Sequence, residues 1–179
     1  MKNMDKMTQA EAAAYVQSHL FARGITVILS GGAAVAVYTK NKYVSADIDL
    51  VNVYFAQRKK IVAAMEEIGF RERNRYFFHP TMQHIVEFPP GPLSVGEEPV
   101  KEISEIKFST GTLRVISATD CVKDRLAAYY FWNDLQSLEQ AILVAKSAQI
   151  DPGEVKRWSQ TMKQLPRFKI FQGRLTAEE

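Results

Sequence analysis

Two aspartates inside an apolar segment restrict the folds open to this chain. Asp47 and Asp49 alternate with apolar residues in the stretch DIDLVN, which indicates a buried β-strand. Side chains two residues apart in a strand point to the same face of the sheet, so the two carboxylates lie side by side. Burying two neighbouring negative charges is costly unless a cation, a basic side chain or water compensates them. The segment therefore predicts a charged site on one face of a sheet.

A glycine pair precedes these aspartates, with a spacer of fourteen residues before Asp47. The stretch Ile25–Ser30 predicts a short buried strand, Gly31 and Gly32 end it, and a short helix is expected to follow. A glycine turn between a strand and a helix lets backbone N–H groups approach a phosphate, and the positive end of the helix favours anions. Ser30, Gly31 and Gly32 are thus predicted to hold the phosphates of a nucleotide.

The two aspartates suit a divalent cation. Mg²⁺ binds one or two carboxylates and completes its shell with water and substrate phosphates, and Mn²⁺ accepts the same ligands. Glu87 is the predicted third acid of the site because it is the one acid in the apolar stretch HIVEF. The alternative for Glu87 is a salt bridge to Arg71, Arg73 or Arg75. The alternative for the aspartate pair is a strand edge that faces water.

The remaining hydrophobic pattern predicts an α/β core followed by helices. Thr8 to Glu11 has the capping-box sequence TQAE ahead of an alanine-rich helix. Beyond the aspartates, the pattern predicts a helix ended by Gly69, strands near 76–79 and 83–88, a loop at 89–99, a hairpin around 110–111, and three helices from about 118 to 132, 134 to 149 and 152 to 165. We expect residues 1–116 to form a mixed-sheet α/β core flanked by helices, and residues 117–179 to form a helical segment packed on that core.

Composition and charge exclude several classes of protein. The single cysteine, Cys121, excludes an internal disulfide and a cysteine-rich zinc site. No apolar run approaches the length of about 18 residues that spans a bilayer, and the N-terminus lacks the apolar centre of a secretory signal, so we expect a cytoplasmic protein without a membrane partner.

The net charge is +3, and six basic residues but no acidic ones lie between Val155 and Ala177. This basic stretch is either a solvated face or a surface for an anionic partner.

The stretches LSGGAA and SADIDLV resemble the signature of the DNA polymerase β-like nucleotidyltransferase superfamily. That signature has an apolar residue, Gly, then Gly or Ser, a spacer, and Asp-x-Asp or Asp-x-Glu between apolar residues; the spacer here is slightly long. The resemblance covers Gly24 to about Ile116. It implies a nucleotidyltransferase core with an NTP as substrate, Mg²⁺ or Mn²⁺ as cofactor, and Asp47, Asp49 and Glu87 as catalytic, metal-binding residues.

Within this superfamily, the chain is most similar to small prokaryotic nucleotidyltransferases grouped with the AbiEii-type toxins. Those toxins carry a helix with a lysine and an aspartate after the core, and Lys123 and Asp124 in DCVKDRLAAYY could correspond to it. Lys123 would then neutralise a β- or γ-phosphate; the alternative is an exposed lysine on an amphipathic helix. The resemblance implies transfer of a nucleotide to RNA or tRNA, a protein or a small molecule, and often an antitoxin protein encoded beside the toxin.

Together these observations predict a Mg²⁺-dependent nucleotidyltransferase. An acceptor hydroxyl would attack the α-phosphate of an NTP and displace pyrophosphate, with two metal ions about 3.5–4 Å apart at the attacking and leaving oxygens. Two other hypotheses stay open. A binding module of the same fold would sense a nucleotide, or pair with a partner protein, without turnover. An RNA-binding accessory protein would act through the basic C-terminal helix, with an RNA affinity that falls steeply with salt.

Overall fold

The computed structural model describes residues 4–177, which form a mixed β-sheet covered by α-helices. A short 3-10 helix, Met4–Lys6, precedes the first α-helix. The α-helices of the described range are α1 (Gln9–Phe21), α2 (Gly31–Tyr38), α3 (Arg58–Glu67), α4 (Ala118–Trp132), α5 (Leu135–Ser147), α6 (Pro152–Thr161) and α7 (Leu165–Thr176). Its strands are β1 (Val27–Ser30), β2 (Asp47–Asn52), β3 (Arg71–Arg73), β4 (Tyr76–Phe78), β5 (Ile85–Glu87), β6 (Ser94–Val95), β7 (Glu98–Pro99), β8 (Ile103–Phe108) and β9 (Gly111–Ile116). The predicted mixed α/β fold is confirmed.

Seven of the strands form one sheet in the order β3-β4-β5-β2-β1-β9-β8. At its centre β1 and β2 are antiparallel, while β2 is parallel to β5 and β1 is parallel to β9. The hairpins β3–β4 and β8–β9 form the two edges. This order puts the end of β1 and the start of β2 in the middle of the sheet, so the glycine pair and the two aspartates lie there. Strands β6 and β7 form a separate small hairpin within the predicted loop.

Helix α1 begins as its capping box predicts. The Thr8 hydroxyl accepts a hydrogen bond from the Glu11 backbone N–H, and the Glu11 carboxylate accepts one from the Thr8 backbone N–H at 2.9 Å. The small side chains of Ala12, Ala13 and Ala14 are fully buried. Because alanine allows a helix to approach a sheet closely, α1 packs against β9.

The C-terminal helices share one hydrophobic core with the sheet. Trp158 of α6 is fully buried, and its indole N–H donates to the backbone oxygen of Val95 at 3.3 Å. Helices α4 and α5 pack against each other and both contact α2. The boundary between residues 1–116 and 117–179 stays a prediction. Within the described range, none of the helices combines the length and apolar character of a bilayer span.

The structure also differs from the predicted elements at two backbone turns with positive φ. Arg71–Arg73 forms a strand that the sequence did not predict, and it turns into β4 through Asn74 and Arg75, both with positive φ (50° and 69°). An arginine in this left-handed region is uncommon, so the charged stretch does not predict a turn at these residues. The predicted helix 152–165 ends at Thr161, because Lys163 has a φ of 57° and a new helix with proline in its first turn follows.

Candidate functional site

The predicted acids lie at the centre of the sheet, where β1 ends. The antiparallel pairing of β1 with β2 places Ser30 opposite Asp49. The parallel pairing of β2 with β5 places Asp49 beside Glu87. Asp47 stands two residues before Asp49 and shares its face of the sheet. The strand register thus brings the three acids of two strands together on one face.

The three carboxylates form one cluster. One oxygen from each of Asp47, Asp49 and Glu87 lies within 4.8 Å of the others, and all three residues are half-buried. Within residues 4–177, this is the one group of three or more histidine, cysteine or acidic residues close enough to hold a metal ion. Clustered carboxylate oxygens are the donors that Mg²⁺ and Mn²⁺ prefer. The cluster therefore fits a hard divalent cation.

The cluster imposes an electrostatic cost on the ionised form of Asp49. Burial, followed by the negative charges of Asp47 and Glu87, raises the pKa of Asp49 to about 7. The positive charge of Arg125 acts in the opposite direction. A divalent cation would favour the ionised carboxylate and remove this cost. The cost is therefore a second observation, beside the donor geometry, that fits a metal ligand.

The glycine pair makes room for the carboxylates beside α2. Gly31 has a φ of +65°, and a Cβ at this position would overlap Oδ2 of Asp49. A Cβ at Gly32 would lie 2.8 Å from Oγ of Ser45, whose hydroxyl donates to Oδ1 of Asp47 at 2.9 Å. Gly31 is thus required by close packing against Asp49, and Gly32 makes room for Ser45, the hydrogen-bond partner of Asp47. The motif alone did not indicate these roles. The predicted contact of both glycines with phosphates stays a prediction.

Glu87 has both of the partners that the sequence suggested. It belongs to the acidic cluster, and Arg75 Nη2 lies 3.2 Å from its Oε1. Arg75 is at the β3–β4 turn, with 69% of its side chain exposed, and its guanidinium lies over the ring of Tyr76. This arginine places a positive charge on the solvent side of the cluster.

Helix α4 adds an ion pair to the surroundings of the cluster. Arg125 donates to Oδ2 of Asp124 through Nε at 3.0 Å and through Nη2, and to Oε1 of Gln140 at 3.3 Å. The charges of both partners act on Asp49, since Arg125 lowers its pKa and Asp124 raises it. The adjacent residues predict an intrahelical ion pair rather than part of a site, and the ion pair is present. Its electrostatic effect on Asp49 is not indicated by the sequence, because such pairs on a helix are usually surface pairs of little consequence.

Lys123 is bonded to acids outside the cluster. Its Nζ lies 2.7 Å from Oδ1 of Asp120 and 3.1 Å from Oε1 of Glu154, and the residue is 5% exposed. Burial lowers the pKa of Lys123, but the hydrogen bonds to these acids outweigh it and leave the pKa raised. Lys123 lines a polar cavity of about 210 Å³ with these acids. The structure does not bring Lys123 together with the three acids, and its predicted phosphate contact stays a prediction.

A second cavity, of about 200 Å³, adjoins the glycine turn. Ser30 and Asp124 line it, together with Val51, Ile116 and a mostly apolar part of the loop around residues 90–100. The Ser30 side chain makes no capping hydrogen bond to α2. Its hydroxyl is therefore not used to hold the helix, unlike the capping serine and threonine of α4 and α1.

Solved structures of nucleotidyltransferases have this fold. The solution structure of the antibiotic-resistance factor ANT(2'')-Ia matches with a TM-score of 0.62 at 15% identity, over 93% of this chain and 96% of that chain. The crystal structure of ANT(2'')-Ia in complex with adenylyl-2''-tobramycin matches with a TM-score of 0.55 at 17% identity, over 94% and 99% of the two chains. An antigenic nucleotidyltransferase-like protein from Paracoccidioides brasiliensis matches with a TM-score of 0.54 at 12% identity, over 75% of each chain.

These comparisons establish the fold of the chain. No protein-family model and no curated protein matches the sequence. At identities of 12% to 17%, the structural matches carry information on the fold alone. The fold predicted from the nucleotidyltransferase resemblance is confirmed, and the AbiEii-type subgroup receives no support.

Proposed function

We propose that this protein transfers a nucleoside monophosphate from an NTP to a hydroxyl group of an acceptor and releases pyrophosphate. The observation that carries the proposal is the cluster of Asp47, Asp49 and Glu87 beside the glycine turn, in a chain with the nucleotidyltransferase fold. Neither half would suffice, because the fold hosts many functions and three acids alone are a weak signal.

The proposed reaction replaces one bond to the α-phosphorus by another. The acceptor oxygen bonds to the α-phosphorus, the bond from this phosphorus to the oxygen of the β-phosphate breaks, and the acceptor hydroxyl loses its proton. A bound Mg²⁺ supplies Lewis-acid stabilisation of the charge on the phosphoryl oxygens. Asp47, Asp49 and Glu87 would hold that ion. Glu87, the acid from the neighbouring strand, is also our candidate for receiving the acceptor proton.

The glycine turn is the proposed site for the triphosphate. Backbone N–H groups at the start of α2 and the Ser30 hydroxyl would donate to phosphate oxygens. The exposed guanidinium of Arg75 would add attraction for the anionic nucleotide. The cavity lined by Ser30 and Asp124 would receive the part of the nucleotide next to the phosphates. Lys123 would join the phosphates only by leaving Asp120 and Glu154.

We propose a small molecule as the acceptor to test first. ANT(2'')-Ia has been solved in complex with adenylyl-2''-tobramycin, a nucleotide-modified small molecule, and its chain matches this one over nearly its whole length. Transfer to RNA, tRNA or a protein stays a hypothesis. So does a role as an AbiEii-type toxin with an antitoxin partner, which rests on the sequence motif alone.

The RNA-binding alternative loses part of its basis. Three of the six basic residues between 155 and 177 have partners within the fold. Arg157 pairs with Glu98 and Glu154, Arg167 donates to the backbone oxygen of Tyr130 at 2.8 Å, and Arg174 pairs with Glu139. These arginines bind α6 and α7 to the rest of the chain, which leaves fewer charges for an RNA backbone.

The test is transfer of label from each α-³²P-NTP in turn, with Mg²⁺, to aminoglycosides and other polyhydroxylated small molecules, to total RNA and to protein. The variants are Asp47→Asn/Asp49→Asn and, as a control, Glu105→Gln. Glu105 lies on the edge strand β8, which β1 and β9 separate from β2, and it pairs with Arg114 of β9. We expect label in one acceptor class with the wild type and the control, and none with the double variant.

Two other results would count against the proposal. Mg²⁺-dependent NTP binding by calorimetry without any transfer would favour the nucleotide-sensing module. Label transfer that persists in the double variant would show that the acidic cluster is not the catalytic site.

A further inference from the structure

We propose that helix α1 belongs to the metal site and that Gln9 and Ser45 are positioning residues for Asp47. This inference rests on the proposed function, since it assumes that Asp47 binds a cation. Gln9 is the first residue of α1 and lies outside the stretch Gly24–Ile116 that carries the nucleotidyltransferase resemblance. Neither Gln9 nor Ser45 is part of the acidic cluster, so both would act through Asp47.

The first observation concerns the backbone where β2 begins. Ser30 is the last residue of β1 and pairs with Asp49, so residues 45–47 extend past the end of β1. Backbone oxygens at such a position need donors from elsewhere, because unpaired buried carbonyls are costly. The side-chain amide of Gln9 supplies them, since Nε2 donates to the backbone oxygens of Ser45 at 3.1 Å and of Asp47 at 3.0 Å. One side chain thus replaces the missing strand at the residue that carries the carboxylate.

The second observation concerns the carboxylate itself. The Ser45 hydroxyl donates to Oδ1 of Asp47 at 2.9 Å and thereby restrains the rotation of the carboxylate. Ser45 is 6% exposed and lies against Gly32, so its own position is restricted by α2. Outer partners that orient ligating carboxylates in this way are a regular part of metal sites. The series Gln9, Ser45 and Asp47 therefore links α1 to the orientation of one proposed metal ligand.

The third observation concerns the cost of keeping glutamine at this position. Gln9 is 4% exposed, and its Oε1 has no hydrogen-bond partner among the described residues. A buried amide with an unpaired oxygen is unfavourable, and an apolar side chain of the same length would avoid that cost. The two hydrogen bonds that the amide nitrogen donates offset the cost of the unpaired oxygen. Both of them are directed at the segment that positions Asp47.

Helix α1 also contains a matched control. Gln17 lies two turns further along the helix and is 2% exposed. Its Nε2 donates to the backbone oxygen of Arg114 at 2.8 Å, and its Oε1 accepts from the Arg114 backbone N–H at 2.6 Å. It therefore holds β9 as Gln9 holds β2, but at a strand without any of the three acids.

The test is Mn²⁺ affinity, measured without NTP from the electron paramagnetic resonance signal of the free ion. The variants Gln9→Met and Ser45→Ala remove the proposed positioning bonds. Their controls are Gln17→Met and Ser159→Ala, which removes a buried hydroxyl bonded to Tyr130 and to the backbone of Val155. We expect Gln9→Met and Ser45→Ala to weaken Mn²⁺ binding about 10-fold or more. The controls should bind like the wild type, although Gln17→Met should lower the melting temperature at least as much as Gln9→Met.

The double variant Gln9→Met/Ser45→Ala should weaken binding by less than the product of the single effects, because both act through Asp47. Wild-type affinity in Gln9→Met and Ser45→Ala would overturn this inference and leave the proposed function intact. If the wild type binds Mn²⁺ no more tightly than Asp47→Asn does, the proposed function fails, and this inference fails with it. If Gln9→Met does not fold, the comparison of Ser45→Ala with Ser159→Ala decides.

Discussion

Asp49 is held in the folded protein under conditions that disfavour its charge. Its pKa is raised from 3.8 to about 7, first by burial and then by Asp47 and Glu87. Between these two pH values the folded state keeps a proton that the unfolded chain releases. The free energy of unfolding of the metal-free protein therefore falls as the pH rises through this range, and the loss is complete above about pH 7.

We therefore expect Asp49→Asn to stabilise the metal-free protein at pH 8. Asparagine keeps the shape of the side chain but removes the charge, so the melting temperature should rise by at least about 3 °C. The difference should nearly vanish at pH 4, where Asp49 is protonated in the fold. Added Mg²⁺ at pH 8 should raise the melting temperature of the wild type and not that of the variant. Equal melting temperatures at pH 8 without metal would contradict this account of the cluster.

A second expectation concerns Gly31. Gly31→Ala adds a methyl group at a positive φ and against Oδ2 of Asp49, so it should displace this carboxylate, lower the melting temperature and weaken Mn²⁺ binding at least about 10-fold. The control is Gly173→Ala in α7, where a Cβ meets open space. That change should stabilise the protein by up to about 1 kcal/mol. Calorimetric titration with Mn²⁺ would measure the affinity of both variants, and thermal denaturation would measure their stability.

At this scale the sequence predicted the members of the cluster but not their supports. Asp47, Asp49 and Glu87 were identifiable because acids inside apolar strands are rare enough to be noticed. Gln9 and Arg125 were not, because a glutamine or an arginine on an amphipathic helix has no local feature that distinguishes a buried partner from a solvated one. Their roles depend on contacts between segments far apart in the chain.

Beside its buried Trp158, helix α6 carries a set of ion pairs to its neighbours. Glu154 accepts from Arg157 at 2.6 Å and from Lys123 of α4 at 3.1 Å, and Arg157 also pairs with Glu98 of β7. Hydrogen bonds from Arg157, and then from Lys123, lower the pKa of Glu154 to about 2. This lowered pKa gives a stabilisation that is present above the usual glutamate pKa of 4.5 and is lost as the pH falls toward about 2.

Glu154→Gln should thus destabilise the protein at pH 7, and the difference from the wild type should shrink steadily below pH 4.5. Because about a third of the Glu154 side chain is exposed, we expect a loss of no more than about 1 kcal/mol. Urea denaturation at pH 7 and at pH 3 would measure it. The control Glu139→Gln breaks a more exposed pair with Arg174 and should have a smaller effect. A loss that is the same at both pH values would rule out the ion pairs as its cause.

Elements with strong periodicity or caps were predictable, and those set by backbone turns were not. The capping box located α1, and the Thr110-Gly111 turn located the β8–β9 hairpin. Strand β3 escaped prediction because all three of its residues are exposed and charged, so no apolar alternation marks it. The break between α6 and α7 depends on the left-handed backbone conformation of Lys163. A lysine in the sequence does not indicate this conformation.

At the scale of the whole molecule, α2 connects the site to the C-terminal helices. Its first six residues are all buried, so this helix is apolar on every side and needs cover from both the sheet and the helices α4 and α5. The sequence predicted that residues 117–179 pack on the core. It could not predict that they complete the burial of the helix that carries the glycine pair, because pairing between distant segments is not a local property.

We therefore expect a fragment of residues 1–116 to lack a cooperative thermal transition when it is produced alone. Its near-ultraviolet circular dichroism should be weak, and it should bind Mn²⁺ far less tightly than the full chain. Addition of the separate 117–179 segment is the complementary measurement and should restore part of both signals. A cooperative, Mn²⁺-binding fragment would show that the sheet folds independently of the helices.

The parallel pairing of β2 with β5 has a consequence for the kinetics of the chain. The chain segment that connects β2 to β5 contains α3 and the β3–β4 hairpin, so Asp49 and Glu87 become neighbours by a non-local pairing, and such pairings form slowly. A cation that needs both carboxylates would therefore meet its site late, after the folding barrier. It would retard unfolding much more than it would accelerate folding. The lifetime of each folded molecule would then follow the local concentration of divalent ions.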